Sequence, residues 1–148
     1  MTLEFEPIEK SDQLEDLYDF NDQVFSAFAD IVWTVDGLQE QMDENWELIS
    51  VMHNNEIVAA VFLKEDDGRL LSKHTPIKLA FQGNGFSHLI KEFIEKSAKE
   101  RSLTSVVNFC RVDNFRNVGL NETHGYIKLA SFDLDDGARL GEWEKTLK

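Results

Sequence analysis

Gln82-Gly83-Asn84-Gly85-Phe86-Ser87 is the stretch whose residue types most directly suggest chemistry. Two glycines let a backbone come close to a ligand, and a helix opening after them presents amides without internal partners, which suit an anion such as pyrophosphate. Strand–glycine–helix turns also occur without a ligand, so the loop alone leaves a structural role open. Two rival motifs fail. A nucleotide P-loop needs Gly-Lys followed by Ser or Thr, and none is present. A dinucleotide fingerprint would place its third glycine at His88 and would open an early strand–helix–strand unit.

Other reactive side chains are scattered. His74 precedes the loop and could relay a proton through water, although a lone strand histidine is more often structural. Glu122 and His124 flank the end of a short helix, where capping or solvent exposure explains them. His53 sits beside a turn and reads as exposed. Cys110 ends an apolar run and reads as a small core residue; a single cysteine excludes an internal disulfide and any multi-cysteine metal site. Trp46 and Trp143 fit strand packing.

The elements that must position these residues follow from periodicity. Leu3 to Ile8 alternates and reads as a short edge strand in which Pro7 is tolerable. Asp12 with Glu15 is expected to form a capping box, followed by Leu14, Leu17, Tyr18, Val24, Phe25 and Phe28 at helical spacing. A weaker helix is expected over Gly37 to Glu44. Trp46 to His53 and Glu56 to Lys64 flank Asn54-Asn55, a pair suited to the positive φ angles of a tight hairpin. After a turn at Asp66-Asp67-Gly68, Arg69 to Phe81 reads as a third strand, with Pro76 marking a bulge or unpaired stretch.

The strongest helix follows the glycine loop. Phe86, Leu89, Ile90, Phe93, Ile94 and Ala98 share one face, with Lys91, Glu92, Glu95, Lys96 and Glu100 placed elsewhere. Ser105 to Cys110 reads as a buried strand, and Asn114 to His124 as a helix closed by Gly125. Tyr126 to Phe132 and Leu140 to Leu147 read as the last strands. The expected class is α+β, one domain over residues 1–148, with a mixed, mostly antiparallel sheet and helices on both faces.

In this order of elements the chain resembles the GNAT superfamily of N-acetyltransferases. The family's acyl-CoA loop reads Gln/Arg-x-x-Gly-x-Gly/Ala, and Gln82, Gly85 and Ser87 stand at those places. Its second motif opens a helix with Asn, then has Ala at three, an apolar residue at six, Tyr at seven and Gly-Phe at eleven and twelve. Asn114, Leu120, Gly125 and Tyr126 fit; Asn117 replaces the Ala and Asn121 the Tyr.

The resemblance implies acetyl-CoA, or another acyl-CoA, as cosubstrate, with no metal. Backbone groups of Ile77, Lys78 and Leu79 would hold the pantetheine arm. Gln82, Gly83, Asn84, Gly85, Phe86 and Ser87 would hold the pyrophosphate, with Asn114 meeting the arm from the other side. Phe86, Leu89 and Ile90 would contribute core packing. The implied reaction is direct attack of a neutral primary amine on the thioester, with a backbone amide near Leu79 as oxyanion donor. Asn121 occupies the proton donor's place, and a carboxamide donates a hydrogen bond but no proton. Trp33 lies in the region that walls the acceptor site. The resemblance also admits a second function, an acyl-CoA-binding module that has lost turnover and acts through a protein partner.

Charge adds to this. The chain carries a net −13; residues 1–50 hold fourteen Asp/Glu and one basic residue, Lys10, while the remainder balances fourteen against fourteen. Nucleic-acid binding needs a basic surface and is not expected. The acidic third is either a solvated face or a wall that attracts a cationic acceptor, whether a small molecule or a peptidyl amine. The acidic start lacks the basic and apolar regions of a signal peptide, and Ile57 to Leu63 is too short to span a membrane, so a cytoplasmic protein is expected. The sequence leaves a homodimer open.

Overall fold

Asn54 and Asn55 both have positive φ, 50° and 65°, and between them they close a hairpin whose strands are β2 (Glu47–His53) and β3 (Glu56–Asp66). These angles match the right-handed twist of the flanking strands, as the Asn-Asn pair led us to expect. The computed structural model describes residues 2–19, 34–75, 77–134 and 137–147. The other elements are β1 (Glu4–Pro7), α1 (Ser11–Asp19), α2 (Val35–Asp43), β4 (Arg69–His74), a 3-10 turn (Leu79–Phe81), α3 (Phe86–Glu100), β5 (Ser105–Arg111), α4 (Phe115–Thr123), β6 (Ile127–Asp133) and β7 (Arg139–Thr146). The strand order is β1-β2-β3-β4-β5-β7-β6. The pairs β1–β2, β2–β3, β5–β7 and β6–β7 are antiparallel, and β4–β5 is parallel. With four helices among the described residues, this is the mixed α+β class.

Contacts divide the chain into two compact units: residues 1–63 with 74–86, and residues 64–73 with 87–148. In the first, Leu14 and Leu17 of α1, Leu38 of α2, Ile8, Leu48, Ala60 and Phe62 form one apolar cluster, against which Val35, Met42, Trp46 and Ile57 pack. Trp46 therefore serves packing, as expected, whereas Tyr18 is exposed. Val24, Phe25, Phe28, Trp33 and Pro76 lie outside the described residues.

The expected capping box at Asp12 and Glu15 is not the one formed. The helix starts at Ser11, and Gln13 Oε1 reaches back to accept from the backbone N–H of Glu9 (2.7 Å) and Lys10 (2.9 Å). Gln13 is the third helical residue, so it meets the backbone N–H of the cap, Lys10; Asp12 stands two places too far into the helix to be the cap.

The strand expected over Arg69 to Phe81 also ends early, at His74. Thr75 uses its hydroxyl as an acceptor for Ala60 N–H (2.9 Å) while its own N–H donates to Ala60 O (3.0 Å). The next link is Lys78 N–H to Val58 O at 2.8 Å. The hydrogen bonds thus advance three residues on this side for two on β3, while Pro76, to which the expected bulge or unpaired stretch is attached, lies outside the described residues.

In the second unit, α3 buries Ile90, Ile94 and Ala98. Leu89 and Phe93, expected on that face, are only half-buried, and Lys91, expected among the polar residues, is fully buried. α4 ends in a Schellman motif: Gly125 (φ 85°) donates to Glu122 O at 3.1 Å and Tyr126 to Asn121 O at 2.9 Å. Among the described residues no helix is long and apolar enough to cross a membrane.

Candidate active site

The loop is built within the first unit from residues that brace one another. Phe81 N–H donates to Lys78 O (2.8 Å), closing the 3-10 turn that replaces the strand. Gln82 Nε2 reaches back to Ile77 O at 2.8 Å, and Asn84 Nδ2 contacts Phe81 O at 3.3 Å. Gly83 and Gly85 have φ of 86° and 77°, and a Cβ at either would meet nothing within 4 Å. Glycine is required there by backbone conformation, and the space above both residues is open. Phe86, the first residue of α3, is buried, so its side chain is core, as its helical spacing indicated.

Of the backbone groups expected along a pantetheine arm, several are engaged internally. Lys78 N–H is bonded to Val58 O, Lys78 O to Phe81 N–H, and Ile77 O to Gln82. The Lys78 ammonium pairs with Glu56 at 3.0 Å. His74 is half-buried, and its Nδ1 donates to Thr75 O at 3.2 Å, which fixes its tautomer.

His53, expected to be exposed, is half-buried against both aromatic residues that bracket the loop. Its ring centroid lies 5.7 Å from Phe81 and 5.0 Å from Phe86. Its Nδ1 donates to Thr2 O at 3.1 Å, leaving Nε2 to accept from Asn54 at 3.3 Å. Nothing in the local pattern marks this, because the contact joins residues about thirty positions apart.

In the second unit, Asn114 caps α4, its Oδ1 accepting from Asn117 N–H at 3.2 Å. Asn121 is fully buried and donates to Asn108 Oδ1 at 3.0 Å, with Cys110 Sγ at 3.7 Å. Asn108 continues the chain to Ser72 O and Oγ, each at 3.4 Å, and Ser72 Oγ donates to Val107 O at 2.7 Å. Sequence reasoning missed this polar thread; its signal was the pair of asparagines at core positions of β5 and α4. Burial pushes the Cys110 thiol up to about 11, so it stays protonated and is a poor nucleophile.

Lys91 is the other buried ionisable group. Its Nζ lies 4.1 Å from the centroid of the Tyr126 ring and has no hydrogen-bond partner among the described residues. Desolvation lowers its pKa from 10.5 to about 7, against the raising influence of Cys110 and Glu95. Tyr126 is core, as expected, with its hydroxyl donating to Glu95 at 3.2 Å; burial and that carboxylate raise its pKa strongly. Among the described residues no group of three or more His, Cys, Asp or Glu could hold a metal.

Strand order, the early end of β4, the glycine loop before α3 and the asparagine cap of α4 are the features on which this mixed α+β fold can be compared with others. No protein-family model matches the sequence, and no curated protein matches it. Solved structures do match. A ribosomal-protein alanine N-acetyltransferase from Escherichia coli has a TM-score of 0.78 at 13% identity, covering 98% of this chain and 94% of that one. A GNAT-family acetyltransferase from Streptococcus pneumoniae has 0.69 at 16%, covering 99% and 100%. A spermidine N-acetyltransferase from Vibrio cholerae has 0.74 at 15%, covering 97% and 93%. The chain has the fold of the GNAT N-acetyltransferases.

Proposed function

We propose that the chain is an N-acyltransferase that carries an acetyl group from acetyl-CoA to a primary amine. The observation that supports this most is the loop Gln82–Ser87. Two positive-φ glycines with open space above them lead directly into a helix of 15 residues. Helix-opening amides and the helix dipole favour an anion there, and acetyl-CoA joins a pyrophosphate to a thioester. An arm running along Ile77 to Leu79 would displace the Gln82 brace on Ile77 O.

In the reaction the amine nitrogen forms a bond to the thioester carbon, the carbon–sulfur bond breaks, and the nitrogen loses a proton. An acid for the sulfur is helpful rather than essential. A thiol of pKa about 8.5 leaves as a fairly stable anion, and the gap to pH 7 corresponds to roughly 2 kcal/mol at most. His74, with its Nδ1 held by Thr75 O, is the candidate to take the amine's proton through water. The acidic residues of the first third favour a cationic acceptor, small or peptidyl, and Trp33 is proposed to contribute to that wall. A cytoplasmic setting fits the composition.

One observation favours a second reading. Asn121 is buried and spends its donor on Asn108, which suits a module that binds acyl-CoA, turns over slowly or not at all, and acts through a protein partner. Thiol release from acetyl-CoA, measured with amines of graded charge at low and high salt, separates the two. Release that is fastest with polycationic amines and weakens with salt supports the enzyme. No release with any amine, in a chain that binds acetyl-CoA, supports the module.

A further inference from the structure

Three of the large apolar side chains left exposed among the described residues lie on one strand, β6: Ile127 (69%), Leu129 (53%) and Phe132 (45%). β6 ends the strand order, paired with β7 on one side and, among the described residues, with no strand on the other. Such an edge is a template for a further strand.

The register against β7 decides what fits. Ile127 lies opposite Glu144, Lys128 opposite Trp143, Ala130 opposite Glu142, Ser131 opposite Gly141, Phe132 opposite Leu140 and Asp133 opposite Arg139. Leu129 has no residue opposite and is the extra residue of a bulge. In a regular strand Lys128 and Asp133, five apart, would point to opposite faces. The bulge removes that difference: their partners Trp143 and Arg139 are four apart, so both side chains share one face. Ser131 lies midway between them in the ladder, because Gly141 lies midway between Trp143 and Arg139.

We propose that β6 pairs antiparallel with β6 of a second copy, about a two-fold axis at Ser131. Lys128 then faces Asp133 of the second copy, and Asp133 faces its Lys128, on the same face of the joined strands. Ile127 faces Leu134 and Ala130 faces Phe132, so apolar groups cover one another in an isologous contact. A lysine on an edge strand ordinarily discourages pairing with a foreign strand. Self-pairing supplies an acid at both ends, so the charges that repel other strands select this one. Asp133 is already near Arg139 (3.0 Å), but both side chains are mostly exposed, and such a pair is readily shared. A contact based on a strand of 7 residues is smaller than the roughly 800 Å² per partner of a standard interface, so association at micromolar concentrations or above is expected.

Sedimentation velocity of the whole chain, from about 5 to about 500 µM, tests this across that affinity range. The natural chain is expected to move from 17.0 kDa toward twice that mass. Lys128→Asp alone and Asp133→Lys alone are each expected to stay monomeric, because each brings like charges together at both ends. Mixed in equal amounts, the two variants are expected to form a dimer, since the two acids of one then face the two cations of the other. Both positions are exposed, and circular dichroism checks that each variant is folded. A natural chain that stays monomeric throughout overturns the proposal and leaves the edge to a strand of another protein. A dimer that persists in both single variants overturns it by placing the contact elsewhere.

Discussion

Asn121 donates a hydrogen bond of 3.0 Å to Asn108, and neither side chain is reached by solvent. Asn121 stands where the resemblance would have a tyrosine act, and the pair ties α4 to β5 through polar groups. Removing either partner leaves a buried polar atom unsatisfied, at a cost of about 1–3 kcal/mol. Asn121→Ala and Asn108→Ala are each expected to lower the unfolding free energy from urea titration by that much, and the double variant by less than the sum. Additive losses would show that the two side chains do not interact. Asn121→Tyr is expected to destabilise as well, because the site is filled.

Lys91 makes stability depend on pH. Its pKa falls from 10.5 to about 7 on folding, so between those values the unfolded chain binds more protons and stability rises with pH. The groups facing it are Glu95 of its own helix, Cys110 of β5, Lys145 of β7 and the Tyr126 ring. Cys110, raised from 9.0 to about 11, acts in the opposite sense above pH 9, and Tyr126 does so above its ordinary range. Unfolding free energy is therefore expected to climb from pH 7 to pH 9, by at most about 2.7 kcal/mol over two units, to level off while Lys91 and Cys110 offset each other, and to fall above about pH 10 as Tyr126 joins Cys110. Urea titrations of Lys91→Met should be nearly flat from pH 7 to 9; an unchanged slope would remove Lys91 as the cause.

His88 Nδ1 and His124 Nε2 are 2.8 Å apart, joining the first turn of α3 to the cap of α4. The contact needs one ring to donate and the other to accept, so two protonated rings cannot share it. His124 is held below the usual imidazole range by desolvation first and by His88 among its neighbours, while Glu95 opposes. In NMR titrations His88→Ala is expected to move the His124 midpoint upward. A midpoint that does not move would mean the rings titrate independently.

Gly83→Ala and Gly85→Ala test the loop. A methyl group meets nothing at either site, so the cost is conformational, about 1–2 kcal/mol for an L-residue held at positive φ. If the pyrophosphate lies against this backbone, acetyl-CoA affinity should fall by much more than stability does, read by calorimetry on each variant. Equal affinity in both variants would move the anion elsewhere.

Short-range features were legible in the sequence. Asn54-Asn55, the Gly83/Gly85 loop and Gly125 each sit where the chain needs positive φ, a requirement written in residue type. What escaped depends on partners far along the chain. Lys91 looks like any solvated helix lysine until Tyr126 covers it, and the thread from Ser72 through Asn108 to Asn121 exists only once β4, β5 and α4 assemble. His53 was misplaced for the same reason: Phe81 and Phe86 become its neighbours only in the folded chain.

The most direct test of the proposed function is a thermal-shift titration with acetyl-CoA, CoA and ATP. A ligand at about 100 times its Kd stabilises by roughly 2.7 kcal/mol, which raises Tm by several degrees in a chain of this size. A rise with acetyl-CoA and CoA but not with ATP is expected. No rise with any of the three would contradict acyl-CoA binding, and with it both the transferase and the binding-module readings.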